Sequence, residues 1–73
     1  MNRIMDQFEK ATPKQYQKFL GLPVIVSCDD GTWTRCETGR LLGVEGGALK
    51  IETGERSWSY FALVYEPSVT ALV

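Results

Sequence analysis

The residue types that could do chemistry are few. The chain has two cysteines, Cys28 and Cys36, an acidic pair, Asp29-Asp30, and no histidine. General acid–base catalysis needs a group of tuned pKa within reach of substrate, and histidine is its usual carrier. A cysteine nucleophile needs a neighbouring base or a strongly positive site. Arg35 adjoins Cys36, yet successive side chains of a strand point to opposite faces. Asp29 and Asp30 precede Gly31, where aspartates serve a turn by bonding to the backbone. Two cysteines with no histidine do not make up a four-ligand zinc set. We therefore expect no catalytic residue, no metal site and no cofactor.

Register decides whether the cysteines could bridge. With Asp30-Gly31 as a two-residue hairpin loop, Cys28 faces Trp33 and Cys36 points to the other side. With a three-residue loop, Asp29 to Gly31, Cys28 faces Thr32. Cys36 is then four residues on, about 13 Å along the strand, whereas a disulfide requires Cα atoms within about 7 Å. Both registers predict free thiols.

The aromatic residues carry the stronger binding signal. Trp33, Trp58, Tyr60, Phe61 and Tyr65 all lie after Leu22, in the strand-forming part of the chain. Trp33 follows the turn, and Trp58 and Tyr60 fall on one face of a strand. Tryptophan and tyrosine are common interface anchors. They also stack bases or hold cations. The same side chains would serve equally to fill a small core that needs bulk. Basic residues Arg35, Arg40, Lys50 and Arg56 are interleaved with Glu37, Glu45, Glu52 and Glu55, which breaks up any phosphate-binding groove. Gly46-Gly47 lacks the lysine and following helix of a phosphate loop. The candidate binding residues are Trp33, Arg35, Arg40, Trp58 and Tyr60, with Phe8 and Tyr16 on the helical segment.

These residues need elements to position them. Ile4, Met5, Phe8 and Ala11 form an apolar stripe at helical spacing. Thr12-Pro13-Lys14-Gln15 reads as a helix start, with Thr12 as cap, Pro13 in the first turn and Gln15 completing a capping box. Tyr16, Phe19 and Leu20 make its buried face. Gly21 and Pro23 stop it, so the spacing predicts a helix over Pro13–Leu20. From Leu22 the period becomes that of strands, at 22–28, in a return strand that starts at 33–36 and continues through 40–45, and at 48–53, 56–60 and 63–66, with a last edge strand in 68–73. Thr38-Gly39 reads as a bend or bulge. Asp29 to Thr32, Gly46-Gly47 and Gly54-Glu55 read as turns.

The 73 residues are one domain: a helical segment, 1–21, and a β-barrel, 22–73. Short strands between glycine turns indicate a barrel or sandwich, and five strands capped by a helix use this length economically. The fold class is mostly β with an N-terminal helix (α+β). Eight basic and nine acidic side chains give a net charge of −1. That balance lacks the basic excess through which nucleic-acid binders gain affinity. Nothing apolar is long enough to span a membrane, and Met1–Lys10 lacks the apolar core of a signal peptide. A cytoplasmic location is the expectation.

Within this frame, Gly39-x-Leu41-x-Gly43-x-Glu45 resembles the Gly-x-Leu-x-Gly-x-Asp segment of Sm-like proteins. Trp58-x-Tyr60-x-x-Leu63-Val64-x-x-Pro67 resembles their fourth strand, short turn and fifth strand. The resemblance implies a five-stranded SH3-like/Sm-like barrel. It does not extend to the RNA pocket: the sole asparagine, Asn2, is far from the position that pocket uses, and Glu45 is followed by Gly46-Gly47. Acidic Sm-like proteins that inhibit the transcription terminator Rho by binding it are the nearest functional analogue. Asp30-Gly31-Thr32-Trp33 is similar to a strand of Tudor-type barrels. We expect a non-catalytic module that binds another protein or itself, a regulator or inhibitor of a larger partner. Its contacts would use a sheet edge, the face Phe8/Tyr16/Phe19, or a ring of copies. The alternatives are an Sm-like binder of RNA or single strands and a structural subunit of an assembly.

Overall fold

The computed structural model describes residues 12–29 and 31–72. Its elements are helix α1 (Lys14–Gln17), strands β1 (Pro23–Asp29), β2 (Thr34–Glu45), β3 (Ala48–Gly54) and β4 (Ser57–Ala62), a 3-10 turn (Leu63–Tyr65) and strand β5 (Ser68–Ala71). The strands form one antiparallel sheet in the order β4-β3-β2-β1-β5. The helical segment proposed for Met1–Ala11, with Phe8, lies outside the described residues.

The apolar alternation puts Val24 and Val26 of β1, Leu41 and Val44 of β2, Leu49 and Ile51 of β3 and Phe61 of β4 in the core, together with Tyr16. Leu41 and Val44 are three residues apart, which a regular strand would place on opposite faces. A register shift between Leu41 and Gly43 resolves this: Leu41 pairs with Ile51, Gly43 with Lys50 and Val44 with Leu49. Leu42 is the extra residue of a bulge, and both flanking apolar residues turn inward.

The bulge was expected at Thr38-Gly39, but Gly39 serves close approach instead. A Cβ there would collide with the main-chain carbonyl oxygen of Glu52. At this point β2 changes partners: Pro23–Asp29 pair with its residues 34–40, and β3 pairs with 40–45. Only glycine lets the two backbones pass so closely. The return strand expected to start at 33–36 and continue through 40–45 is one continuous twelve-residue strand.

The sheet is not closed into a barrel. β4 and β5 end the strand order and do not pair with each other. The segment expected to carry the sheet on, 63–66, is a 3-10 turn ending at Glu66 in the left-handed conformation (φ 49°). Pro67 follows, and proline has no N–H to add to a ladder. The chain then returns to β1, where Val26 pairs with Val69 and Val24 with Ala71.

The helix is also shorter than predicted. Its N-cap is Pro13, with no side-chain cap bond, so the Thr12 capping box does not form. Gln17 Nε2 instead donates to the Thr12 carbonyl oxygen at 2.9 Å. The chain leaves the helix through turns at 18–21, with Gly21 at φ 79° as its sequence position suggested. The Gly21 N–H donates to the Leu41 carbonyl at 2.8 Å, and the Leu41 N–H to the Leu22 carbonyl at 3.1 Å. Two backbone bonds thus fasten the helical segment to the middle of β2, leaving little room for a longer helix.

Candidate functional site

The loop joining β1 and β2 decides what surrounds the cysteines. Asp29 pairs with Thr34, so the described residues between them, 31–33, stand outside the ladder. Neither the two- nor the three-residue loop is formed. The Asp29 carboxylate accepts the Gly31 N–H at 2.8 Å, and Gly31 takes φ 91°. This aspartate turn widens the loop. Cys28 then faces Arg35, and Cys36 faces Ser27. The cysteines lie on opposite faces of the hairpin, and both thiols are free.

The inner face carries an arginine where a barrel core would carry an aliphatic residue. Arg35 stacks on Phe61, its guanidinium carbon 4.1 Å from the ring centroid. Its Nη1 donates to the Tyr60 carbonyl oxygen at 2.7 Å, and its Nη2 to the Glu37 carboxylate at 2.8 Å. Glu37 is also hydrogen-bonded to Ser59. The first half of β2 is therefore tied to β4 by side chains, across a gap that no backbone ladder closes. The Arg35 side chain stays about a third exposed (36%).

The Ser59 hydroxyl, and after it Arg35, holds the Glu37 carboxyl below its ordinary value of 4.5, against the opposing effect of burial. A carboxyl with a depressed folded-state pKa contributes stability above its unfolded pKa and loses it as pH falls through the folded one. Wild-type stability is thus expected to fall as pH drops below about 4.5. Glu37→Gln should flatten that part of a urea-midpoint profile between pH 5 and pH 2. An unchanged slope would show that the contact is not formed in solution.

Around this latch is a groove of about 290 Å³ lined by Cys28, Trp33, Arg35, Tyr60, Phe61, Ala62 and Tyr65. Each wall has a local cause. The widened loop brings Trp33 to one side, and the 3-10 turn brings Tyr65 to the other. Phe61 and Arg35 form the floor. Trp33 and Tyr65 remain more than half exposed, at 57% and 53%. A second, shallower depression beside the helix is lined by Phe19, Pro67 and Val69, with Lys18 and Glu66 at its rim.

The remaining sequence candidates separate onto other surfaces. Trp58 and Tyr60 share the outer face of β4, as their spacing suggested, and both are exposed. The Lys50 ammonium lies 5.4 Å from the Trp58 ring centroid and 5.7 Å from that of Tyr60, and bonds to Glu45 at 3.1 Å. That hydrogen bond to Glu45 leads the causes that raise the Lys50 pKa. Arg40 is on the same face, opposite Glu52. Tyr16 is no surface residue. Its ring is buried in the core, and its hydroxyl donates to the Pro67 carbonyl at 2.7 Å. A buried phenol needs such a partner, and this one anchors the helix to the turn before β5. Phe8 is outside the described residues. Sequence reasoning missed Tyr65, Phe61 and Cys28 as parts of one groove, because 63–66 was read as strand.

Among the described residues, no group of three metal-ligating side chains is gathered. No helix among them is long and apolar enough to cross a membrane. No protein-family model matches the chain, and neither the curated proteins nor the solved structures contain a significant match.

Proposed function

We propose that the chain is a small non-catalytic module that binds another protein through the groove between Trp33 and Tyr65. The observation that carries this reading is a pair of half-exposed aromatic walls over a floor already fixed by its own bonds. Large rings bring contact area at low entropic cost, and a preset floor spares the ordering penalty of binding. An apolar side chain of a partner would enter between the rings, and Arg35, with N–H groups beyond the two used internally, would bond a partner acceptor at the base. A regulator or inhibitor of a larger protein is the role that suits a module of this size.

The fold reading beneath this is an SH3-like or Sm-like small barrel with one open side. The meander β1 to β4, the change of partners along β2 and the return of β5 to β1 support it. RNA binding is the second reading, and the interleaved charges disfavour it. It would appear as affinity for single strands that falls steeply with added salt.

The test is capture from the protein's own cells by the tagged chain and by Trp33→Ala in parallel. Retention by the wild type and loss with Trp33→Ala supports the groove. Equal recovery by both would remove the groove from the function.

A further inference from the structure

Among the described residues that line the groove between Trp33 and Tyr65, Arg35 alone carries a charge. Aromatic walls by themselves suit a cation as well as an apolar group. Here the cation's place on the floor is taken. The Arg35 guanidinium lies 4.1 Å from the Phe61 ring centroid, so the protein's own positive charge covers that ring. An ammonium or guanidinium from a partner would meet a like charge, and no described residue of the lining supplies a carboxylate to offset it. Glu37 bonds to Arg35 and Ser59 but is not part of the wall. Asp29, at the start of the loop that carries Trp33, is engaged by the Gly31 N–H.

Arg35 keeps bonding capacity on the groove side. A guanidinium carries five N–H donors, and Arg35 uses one on the Tyr60 carbonyl and one on Glu37. Its side chain is also about a third exposed. The acceptor that matches such a planar fork is a carboxylate, whose bonds to it are charge-assisted. The base of the groove thus fits a carboxylate, and its walls fit an apolar group.

Size decides how those two groups are joined. A volume of about 290 Å³ lies at the small end of ligand pockets. It admits about one large residue, so the apolar group and the carboxylate must belong to the same residue. Aspartate and glutamate carry a carboxylate but no bulky apolar group. A C-terminal residue with a large apolar side chain carries both on one Cα.

We propose that the groove binds the free C-terminus of a partner protein, with its last side chain between Trp33 and Tyr65 and its α-carboxylate on Arg35. This rests on the reading of the groove as the protein-binding site and adds which part of the partner enters it. Phe61, Tyr60 and Glu37 already hold Arg35 in place, so binding costs little further ordering of that side chain.

Short peptides test this on the full chain, with backbone amide shifts around the groove followed by NMR. The probe is acetyl-glycyl-glycyl-phenylalanine, titrated with a free carboxylate and as the C-terminal amide. The acid should saturate the groove, and the amide should bind at least tenfold more weakly. Acetyl-phenylalanyl-glycyl-glycine, which moves the carboxylate two residues from the ring, should lose as much. Trp33→Ala should bind none of them, and Arg35→Gln should bring acid and amide to one affinity. The acid–amide comparison needs no variant, so it decides the matter even where Arg35→Gln does not fold. Equal binding of acid and amide, lost with Trp33→Ala, overturns the inference and leaves the groove as the binding site. Equal binding of the acid by the wild type and Trp33→Ala overturns the groove reading as well. A wild type that binds none of the three peptides overturns the inference too.

Discussion

Phe61→Ala lowers the stability of the fold by about 3–5 kcal/mol. Phe61 is 2% exposed, packs with Leu49 and the rest of the core, and supports the Arg35 guanidinium. Truncating a buried phenylalanine costs about 3–5 kcal/mol through lost burial and the cavity left behind. Native domains hold roughly 0.05–0.15 kcal/mol per residue, so a chain of this size has on the order of 4–11 kcal/mol in total. One substitution therefore removes much of the stability. The loss also removes the platform beneath Arg35, loosening its link to β4. Urea unfolding followed by circular dichroism should show the midpoint lowered by roughly a quarter or more. Phe61→Leu should recover much of the loss, because it refills volume while giving up the stacking. Trp58→Ala, on the exposed outer face, should shift the midpoint little. Similar losses for Phe61→Ala and Trp58→Ala would contradict the assignment of inner and outer faces.

Trp33→Ala weakens partner binding at least thirtyfold while the fold persists. Anchor residues at the centre of an interface typically cost about 2 kcal/mol or more on truncation, and a factor of thirty corresponds to about 2 kcal/mol. Trp33 is largely exposed and lies outside the core, so its removal leaves the buried side chains in place. Tyr65→Ala, on the opposite wall, should weaken binding in the same direction. The two effects should be non-additive if one partner side chain contacts both rings. Calorimetric titration with the captured partner reads these changes. Wild-type affinity in both variants would exclude the groove as the binding surface.

The periodicities made much of this legible. Leu49 and Ile51 alternate with polar residues, so their shared inward face followed from the sequence, as did the Gly46-Gly47 turn, where both residues take positive φ. The free thiols followed from alternation as well, although the loop was longer than either register considered. Where local chemistry competed with pattern, the reading failed. Asp29 closed a turn on Gly31 and widened the loop, which moved Arg35 opposite Cys28. Gly39 carried no local mark to distinguish a bulge from a close crossing, because the atom it must avoid belongs to Glu52, thirteen residues away. Leu63–Tyr65 has β-forming residues, yet Glu66 and Pro67 turn the chain there.

The site was half visible for the same reasons. Trp33 and Arg35 were identifiable as exposed or polar residues beside a turn. Tyr16 was legible as part of the helix's buried face, and its burial and bond to the Pro67 carbonyl take it out of the binding surface also considered for it. The joining of Trp33 with Tyr65 depends on the open side of the sheet. Strand signals alone imply closure, since they do not show that Arg35 and Glu37 fill the gap with side chains.

The most direct test of the groove uses the two thiols as reporters on one hairpin. Cys28 lines the groove, and Cys36 is exposed on the opposite face. Their alkylation rates with iodoacetamide are measured in the free protein and in the complex with the captured partner. The account predicts that the partner slows Cys28 at least tenfold and leaves Cys36 unchanged. Protection of Cys36 alone, or of neither thiol in a saturated complex, would contradict it.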